Sequence, residues 1–257
     1  MLNSLGLDSE VWDSYMLLEL RLPDTETSFI VSIQRYVNEI ENVLPFESST
    51  QVWKQEIYFE TPIRISNGEK IRRVKRGGVY FWPPGRAMCL FYGWTQVYTP
   101  AIELGHIVDP LHRLFNVGSE VKIVVEKHRP VAELMQIVEK LRSMGFEAAT
   151  PLDNGNRIVV GFKEVKNVRI AFSIYVEDYG VHIESEGLAR FGEDAYTLNT
   201  IHRLKRRIES WSDYLRVDST EDGWIAITAT LESLDELTRA IEELAEGMRI
   251  AHYIMYA

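Results

Sequence analysis

The chain has 257 residues, of which 46% are hydrophobic, and its 28 basic and 38 acidic side chains give a formal charge of −10. This length fits two ordinary domains with ample core, so a disordered or fibrous chain is excluded. The single cysteine, Cys89, allows no internal disulfide and no cysteine-based zinc cluster, and it indicates a reducing compartment.

Neither the start of the chain nor any apolar stretch predicts contact with a membrane. Residues 1–6 lack the basic start and the continuous apolar core of a signal peptide. No apolar run reaches the roughly 18 residues that are needed to span a bilayer. We therefore expect a soluble, cytoplasmic protein without a membrane partner.

The negative charge is concentrated in the second half of the chain. There are 14 basic and 16 acidic residues before Pro130, and 14 basic and 22 acidic residues from there on, so the halves carry −2 and −8. Phosphate affinity is built from clustered lysine and arginine, so this distribution argues against nucleic acid as a partner. We predict two domains, at residues 1–129 and 130–257.

The first half has the pattern of a mainly β domain. Residues 16–22 alternate as a half-buried strand does, since every even-numbered position is apolar. Apolar residues at 30, 33, 37, 40 and 44 follow helical spacing and predict one main helix that ends before Pro45. Short apolar runs between glycine and proline turns follow at 52–59, 63–65, 79–82, 87–92, 102–108 and 121–126. Together they predict a closed or rolled antiparallel sheet.

The second half combines longer amphipathic segments with strands. Apolar spacing predicts helices over 131–141, 196–208 and 234–248, and Ser233 with Glu236 forms a predicted capping box for the last helix. Strands are predicted at 146–150, 157–163, 168–176, 180–185, 214–218 and 224–231, with turns at Asn154-Gly155, Tyr179-Gly180 and 221–223. This order of elements predicts an α+β domain.

Three separated motifs in the first half occur in a recognisable order. They are Leu44-Pro45, the WKQEIYF run at 53–59 and the GVYFWPPGRAMCLFYG run at 78–93. With them, residues 14–127 or so resemble the small prokaryotic cyclophilin-like domains of unknown function. The resemblance implies a cyclophilin-like β-barrel in which Cys89 belongs to the core. Similar domains tend to have Pro-Thr-Pro where this chain has Trp94-Thr95-Gln96, so we expect a reshaped loop after Gly93.

The second half, over about residues 130–257, resembles the type III secretion chaperone-like fold of YbjN-type proteins. The resemblance rests on element order, Leu198-Asn199, a hairpin with Asp222-Gly223 at its turn and a closing acidic helix. It implies a protein that binds other proteins and often forms a homodimer. The apolar end of the chain, residues 250–256, is the candidate contact in such a dimer, and packing within its own domain is the alternative.

Arg86 is the candidate catalytic residue if the barrel isomerises X–Pro bonds. A catalyst of this rotation needs an apolar pocket and a cationic donor aimed at the prolyl nitrogen, and Phe91, Trp94 and Tyr58 are the candidate walls. However, the run similar to F-x-x-Q-G-G-D that carries the active residues of true cyclophilins is absent. We therefore favour Arg86 as a solvated turn residue and keep a peptidyl-prolyl isomerase, or another small-pocket enzyme, as the alternative function.

The aromatic side chains around the motifs form a candidate groove for a ligand or peptide, because tryptophan and tyrosine combine a large apolar body with a polar tip. Core packing is the alternative. Alternation over 52–59 places Glu56 and Tyr58 on the more polar face, where an ion pair of Glu56 with Arg86 or Arg64 is the structural alternative. The candidate binding residues are Glu56, Tyr58, Trp82, Arg86, Phe91, Tyr92 and Trp94.

The remaining motifs indicate no cofactor. The basic run 70–76 resembles a charged edge strand, in which lysine and arginine discourage unwanted pairing, and it is also placed to contact the acidic second half. The six histidines lack the spacing of a metal site, and phosphate loops and dinucleotide fingerprints are absent. We predict a non-catalytic protein- or peptide-binding protein without cofactor or metal.

Overall fold

The computed structural model describes residues 15–178 and 180–256. The expectations for residues 1–6 and for Tyr179 in its predicted turn concern positions outside this description. Within these two ranges no helix is both long enough and apolar enough to cross a membrane.

The strands of the first half form one antiparallel sheet that closes nearly into a barrel. Their order across the sheet is β3-β10-β1-β2-β9-β7-β8-β5-β4, and β6 pairs with β9. This confirms the predicted mainly β barrel. The strands are β1 (Met16–Leu22), β2 (Thr27–Ile33), β3 (Phe46–Ser49), β4 (Gln51–Trp53), β5 (Glu56–Glu60), β6 (Lys70–Ile71), β7 (Gly78–Trp82), β8 (Ala87–Phe91), β9 (Ala101–Ile107) and β10 (Lys122–Lys127).

The interior of the barrel is filled by side chains. Leu18, Leu20, Val31, Phe81 and Leu104 belong to one buried cluster in which all five are almost fully shielded from water. Burying one such side chain contributes about 1.5–3 kcal/mol, so this cluster is a main source of the stability of the barrel.

The helix predicted over 30–44 is wrong in its first part. Phe29, Val31 and Ile33 continue β2 and face the barrel core, whereas Ile30 faces the opposite side. Helix α1 is limited to Val37–Glu41. The helical spacing of residues 30 and 33 is a coincidence, because β2 is covered on both faces and carries apolar residues on each of them.

Two predicted strands of the first half also need correction. The run 52–59 is a hairpin of β4 and β5, with its turn at Lys54, where φ is +56°, and Gln55. Residues 52–59 therefore do not alternate between two faces of one strand, as predicted. Glu56 and Tyr58 still share one face of β5. Residues 63–65 form no strand, and Ile63 is instead buried in the barrel core.

The second half contains a seven-stranded antiparallel sheet in the order β11-β14-β15-β16-β19-β17, with β18 beside β19. A separate pair of short strands, β12 and β13, flanks the predicted turn at Asn154-Gly155. The strands are β11 (Glu147–Ala149), β12 (Leu152–Asp153), β13 (Asn156–Arg157), β14 (Val159–Val165), β15 (Val168–Glu177), β16 (Gly180–Ser185), β17 (Ala189–Arg190), β18 (Leu215–Ser219) and β19 (Trp224–Leu231).

Three helices cover one face of this sheet, as predicted for an α+β arrangement. They are α2 (Met135–Ser143), α3 (Ala195–Ile208) and α4 (Leu237–Tyr256). Helix α4 extends beyond its predicted end and includes the apolar end of the chain. The predicted capping box is wrong: the side chain of Ser233 makes no cap hydrogen bond, and Glu236 Oε2 accepts from the Glu232 N–H at 3.1 Å.

The other face of the second sheet packs against the barrel. Ile30 and Val108 from the barrel share a buried cluster with Val160, Phe162 and Ala171. The molecule therefore has three layers, in the order helices, second sheet and barrel. The predicted domain boundary at residues 129 and 130 lies in the link between β10 and α2.

Candidate functional site

Four of the predicted binding residues lie together on the outer face of the barrel. Phe91 is fully buried in a small apolar cluster with Tyr80 and Cys89, and Tyr58 and Trp82 pack against it half-buried. The Trp82 Nε1–H donates to Thr99 Oγ1 at 2.7 Å. These aromatic side chains are thus used mainly in packing a second, smaller core.

Glu56 adds a carboxyl group to this outer cluster. Its side chain is buried, and the Cys89 thiol donates a hydrogen bond to it. Burial raises the pKa of Glu56 and, together with the adjacent carboxyl, raises the pKa of Cys89 well above its ordinary value. Cys89 is therefore a thiol in the core rather than a nucleophile. The ion pair expected from Glu56 to Arg86 or Arg64 is absent among the described residues.

Arg86 ends the short turn Pro83–Gly85 in a left-handed conformation, with φ at +45°. Its backbone is fixed, since the Arg86 carbonyl accepts from the Thr61 N–H at 2.8 Å. Its side chain is exposed, and within the described ranges its guanidinium group has no ion-pair partner. The role of Arg86 in catalysis stays a prediction.

The two remaining predicted residues lie elsewhere. Tyr92 turns into the barrel interior, where its ring contacts Phe115 at a centroid distance of 4.7 Å and its hydroxyl donates to the Lys54 carbonyl at 3.2 Å. Trp94 is 72% exposed at the junction with the second half. The seven predicted residues are therefore divided among the outer cluster, an exposed turn, the barrel core and the junction.

A centre of buried charge lies between the two sheets, and the sequence patterns did not predict it. Asp109 is fully buried: its Oδ2 accepts from the Ile30 N–H at 2.6 Å, and its Oδ1 is ion-paired with Arg113. Arg113 also reaches Asp153 of the second half at 3.2 Å. Burial raises the pKa of Asp109 to about 6, against the opposing effect of Arg113.

Arg169 and Glu186, both from the second half, extend this centre towards the surface. Arg169 donates through Nη2 to the Asp109 carbonyl at 2.6 Å and through Nε to Glu186 Oε2 at 2.8 Å. Arg76 of the barrel lies 2.9 Å from Glu186 Oε1. The expected contact between the basic run 70–76 and the acidic second half is therefore present at Arg76.

Three histidines of the first half each face a glutamate. No set of three or more His, Cys, Asp or Glu side chains in the described part of the chain is arranged to hold a metal ion. The histidines act instead in pairs that link segments of the fold. The pairs are His106–Glu147, His112–Glu184 and His128–Glu19, at distances of 3.0, 3.5 and 3.0 Å.

An open groove of about 630 Å³ lies between α3 and the end of α4, and we call it the arginine groove. Its apolar wall is formed by Ile250, Tyr253 and Ile254, of which Tyr253 is 74% exposed. Four arginines line it against one glutamate, Glu246, which pairs with Arg249. The other three arginines have no ion-pair partner among the described residues: Arg203, Arg206 and Arg207.

Comparison with a family model supports the predicted barrel of the first half. Residues 16–126 match the family model described as Cyclophilin-like, which confirms a cyclophilin-like domain in this segment. The chain is also similar to the solution structure of the hypothetical protein AF2241 from Archaeoglobus fulgidus. That similarity has 28% sequence identity and a TM-score of 0.38, and covers 44% of this chain and 95% of the other. No curated protein matches the chain.

Proposed function

We propose that the chain is a non-catalytic peptide-binding protein of the cytoplasm whose arginine groove takes an acidic, apolar helical segment of a partner. The groove carries the proposal because it combines an exposed apolar wall with three unpaired arginines, on a half of the chain whose net charge is −8. An amphipathic helix bound in a groove uses this combination: apolar side chains supply area, and border charges select the partner.

The filled barrel supports binding over catalysis. A prolyl pocket needs empty apolar space beside Arg86, whereas Tyr58, Trp82 and Phe91 are packed against one another and Trp94 lies at the junction. We expect cis/trans exchange of a proline-containing peptide, followed by exchange NMR, to run at the uncatalysed rate with the wild type and with Arg86→Ala alike. Acceleration by the wild type that is lost in Arg86→Ala would establish the isomerase instead.

The groove is tested with a fluorescein-labelled amphipathic helical peptide that has leucines on one face and glutamates along its borders. We expect saturable binding in fluorescence anisotropy, which weakens as salt is raised because exposed charges are screened. Reversing two charges with Arg206→Glu and Arg207→Glu should weaken binding about tenfold or more. Tyr253→Ala should weaken it as well, since the ring supplies apolar contact area.

Matched controls distinguish binding in the arginine groove from a general effect of charge. Arg216→Glu reverses a charge on exposed β18 outside the groove and should leave the affinity unchanged. A peptide with lysine in place of glutamate should not bind. Equal binding of both peptides would contradict the proposal. It would also be contradicted if the protein is a stable dimer in light scattering that Tyr253→Asp dissociates, because the groove would then be a contact between two copies.

Three sequence predictions accompany this proposal. We retain the resemblance of the second half to the chaperone-like fold, because it too implies binding of proteins. We retain homodimer formation through this half as the competing use of the same surface. The division into domains 1–129 and 130–257 is likewise retained, on the basis that each half has its own sheet and its own main core.

A further inference from the structure

A second cavity, here called the junction cavity, lies between the barrel and the second half, apart from the arginine groove. It measures about 350 Å³, which is within the range of small-molecule sites. Trp94 and Arg76 line it from the barrel, and the second half supplies the remaining wall. The cavity therefore exists only where the two halves meet.

Trp94 is exposed, yet its backbone is fixed. Its N–H donates to Gln55 Oε1 at 2.8 Å, and the Gln55 N–H donates to Thr95 Oγ1 at 2.9 Å. The side chain of Gln96 bonds both the N–H and the carbonyl of Val74, at 3.1 and 3.0 Å. An exposed indole on a fixed backbone has only two side-chain torsions left to order on binding, which is typical of a recognition surface.

The charged side of the cavity has a surplus of one positive charge. Arg76 and Arg169 both contact the single carboxylate of Glu186, while the nearby carboxylate of Asp109 is already paired with Arg113. Arg76 keeps about a third of its side chain exposed, at 31%, and a guanidinium group has five N–H donors. It therefore has donors left for an anionic group.

The rest of the lining is mainly apolar and adaptable, with Asn167 and His252 as its other polar side chains. Val168, Leu188, Met248 and Met255 line it together with Trp94. Methionine side chains are flexible and polarisable, so they accommodate apolar groups of different shapes. An apolar body between these residues and Trp94 would place a carboxylate on the same molecule within the reach of Arg76.

We infer that the junction cavity binds an apolar carboxylate, with the acid group on Arg76 and the apolar part between Trp94 and the two methionines. Two sources offer this chemistry: a free aliphatic acid and the carboxyl terminus of a peptide that ends in an apolar residue. Both present one negative charge next to an apolar body. Arg76 and Trp94 are the residues that decide affinity.

The test is calorimetric titration of the full chain with matched pairs of probes. Hexanoate is compared with hexanol, and the tripeptide Ala-Leu-Phe with a free carboxyl end is compared with its amide. We expect at least one acid to bind about tenfold or more tightly than its neutral partner, since a charge-assisted hydrogen bond is lost in the neutral compound. The acid that binds identifies the source, and acids that bind no better than their neutral partners would overturn the inference.

Variants test whether the preferred acid binds in the junction cavity. Trp94→Ala should weaken the preferred acid about tenfold, whereas Tyr98→Ala removes another exposed aromatic outside the cavity and should have no effect. Arg76→Gln should abolish the preference for the acid, and Arg76→Lys, which keeps the charge, should retain part of it. Arg72→Gln is the control on the same basic run. Unchanged affinity in Trp94→Ala would place the site elsewhere and contradict the inference.

Discussion

Replacing Asp109 with alanine is expected to lower the free energy of unfolding by about 3 kcal/mol, because it breaks a buried ion pair and removes a buried hydrogen-bond acceptor. Arg113 would keep only Asp153, at 3.2 Å, as an acidic partner, and the Ile30 N–H would lose its acceptor at 2.6 Å. Urea unfolding at pH 7, followed by tryptophan fluorescence, measures the loss.

A double variant distinguishes the cost of an unpaired charge from the net contribution of the pair. Burial already raises the pKa of Asp109 to about 6, so the pair itself adds little net stability, and Asp109→Ala with Arg113→Met should lose less than Asp109→Ala alone. Arg21→Ala breaks the exposed pair with Glu126 and should cost about 0–1 kcal/mol. If Asp109→Ala costs no more than this control, breaking the buried pair carries no special penalty and the prediction is wrong.

Glu184 is expected to make stability depend on pH in acid. Burial alone would raise its pKa, but hydrogen bonds and charge from His112 and His182 outweigh burial and lower the pKa to about 2. As pH falls, Glu184 is protonated in the unfolded chain before it is protonated in the folded chain. Its contribution to the free energy of unfolding is therefore complete above about pH 4.5 and is lost as pH falls towards 2. It amounts to at most about 3 kcal/mol.

The measurement is the free energy of unfolding from pH 7 down to 2 for the wild type and Glu184→Gln. The variant should be less stable at pH 7, and the difference between the two proteins should shrink as the wild type is protonated. Glu242→Gln, an exposed position on α4, should follow the wild type throughout. A constant difference from pH 7 to pH 2 would show that the carboxylate charge of Glu184 is not involved.

Local pattern predicted the elements whose core-facing residues recur with the period of the element. Strand β1 faces the core with alternate residues, and helices α2 and α3 bury one stripe each, so the periodicity of the sequence is that of the structure. Strand β2 has apolar residues on both faces, so the alternation is lost and Ile30 and Ile33 imitate the spacing of a helix. The turn at Lys54 was missed because no glycine or proline marks it.

The candidate sites were harder to predict, because they depend on contacts between distant segments. The sequence places Trp94 directly after the barrel motifs. Its neighbours in the cavity, Met248 and Met255, come from the last helix of the second half. Three of the four arginines of the groove lie at the end of α3, where their sequence pattern is that of an ordinary solvated helix face. Only the position of α4 beside them gives the apolar wall.

The buried centre at Asp109 has a consequence for how the chain folds. Arg169 and Glu186 of the second half contact Asp109 and Arg76 of the first half, so each half holds counter-charges or hydrogen-bond acceptors for the other. Opening the junction would leave charged groups of both halves without these partners. We therefore expect the two sheets, although each has its own core, to gain and lose structure cooperatively, as one thermodynamic unit.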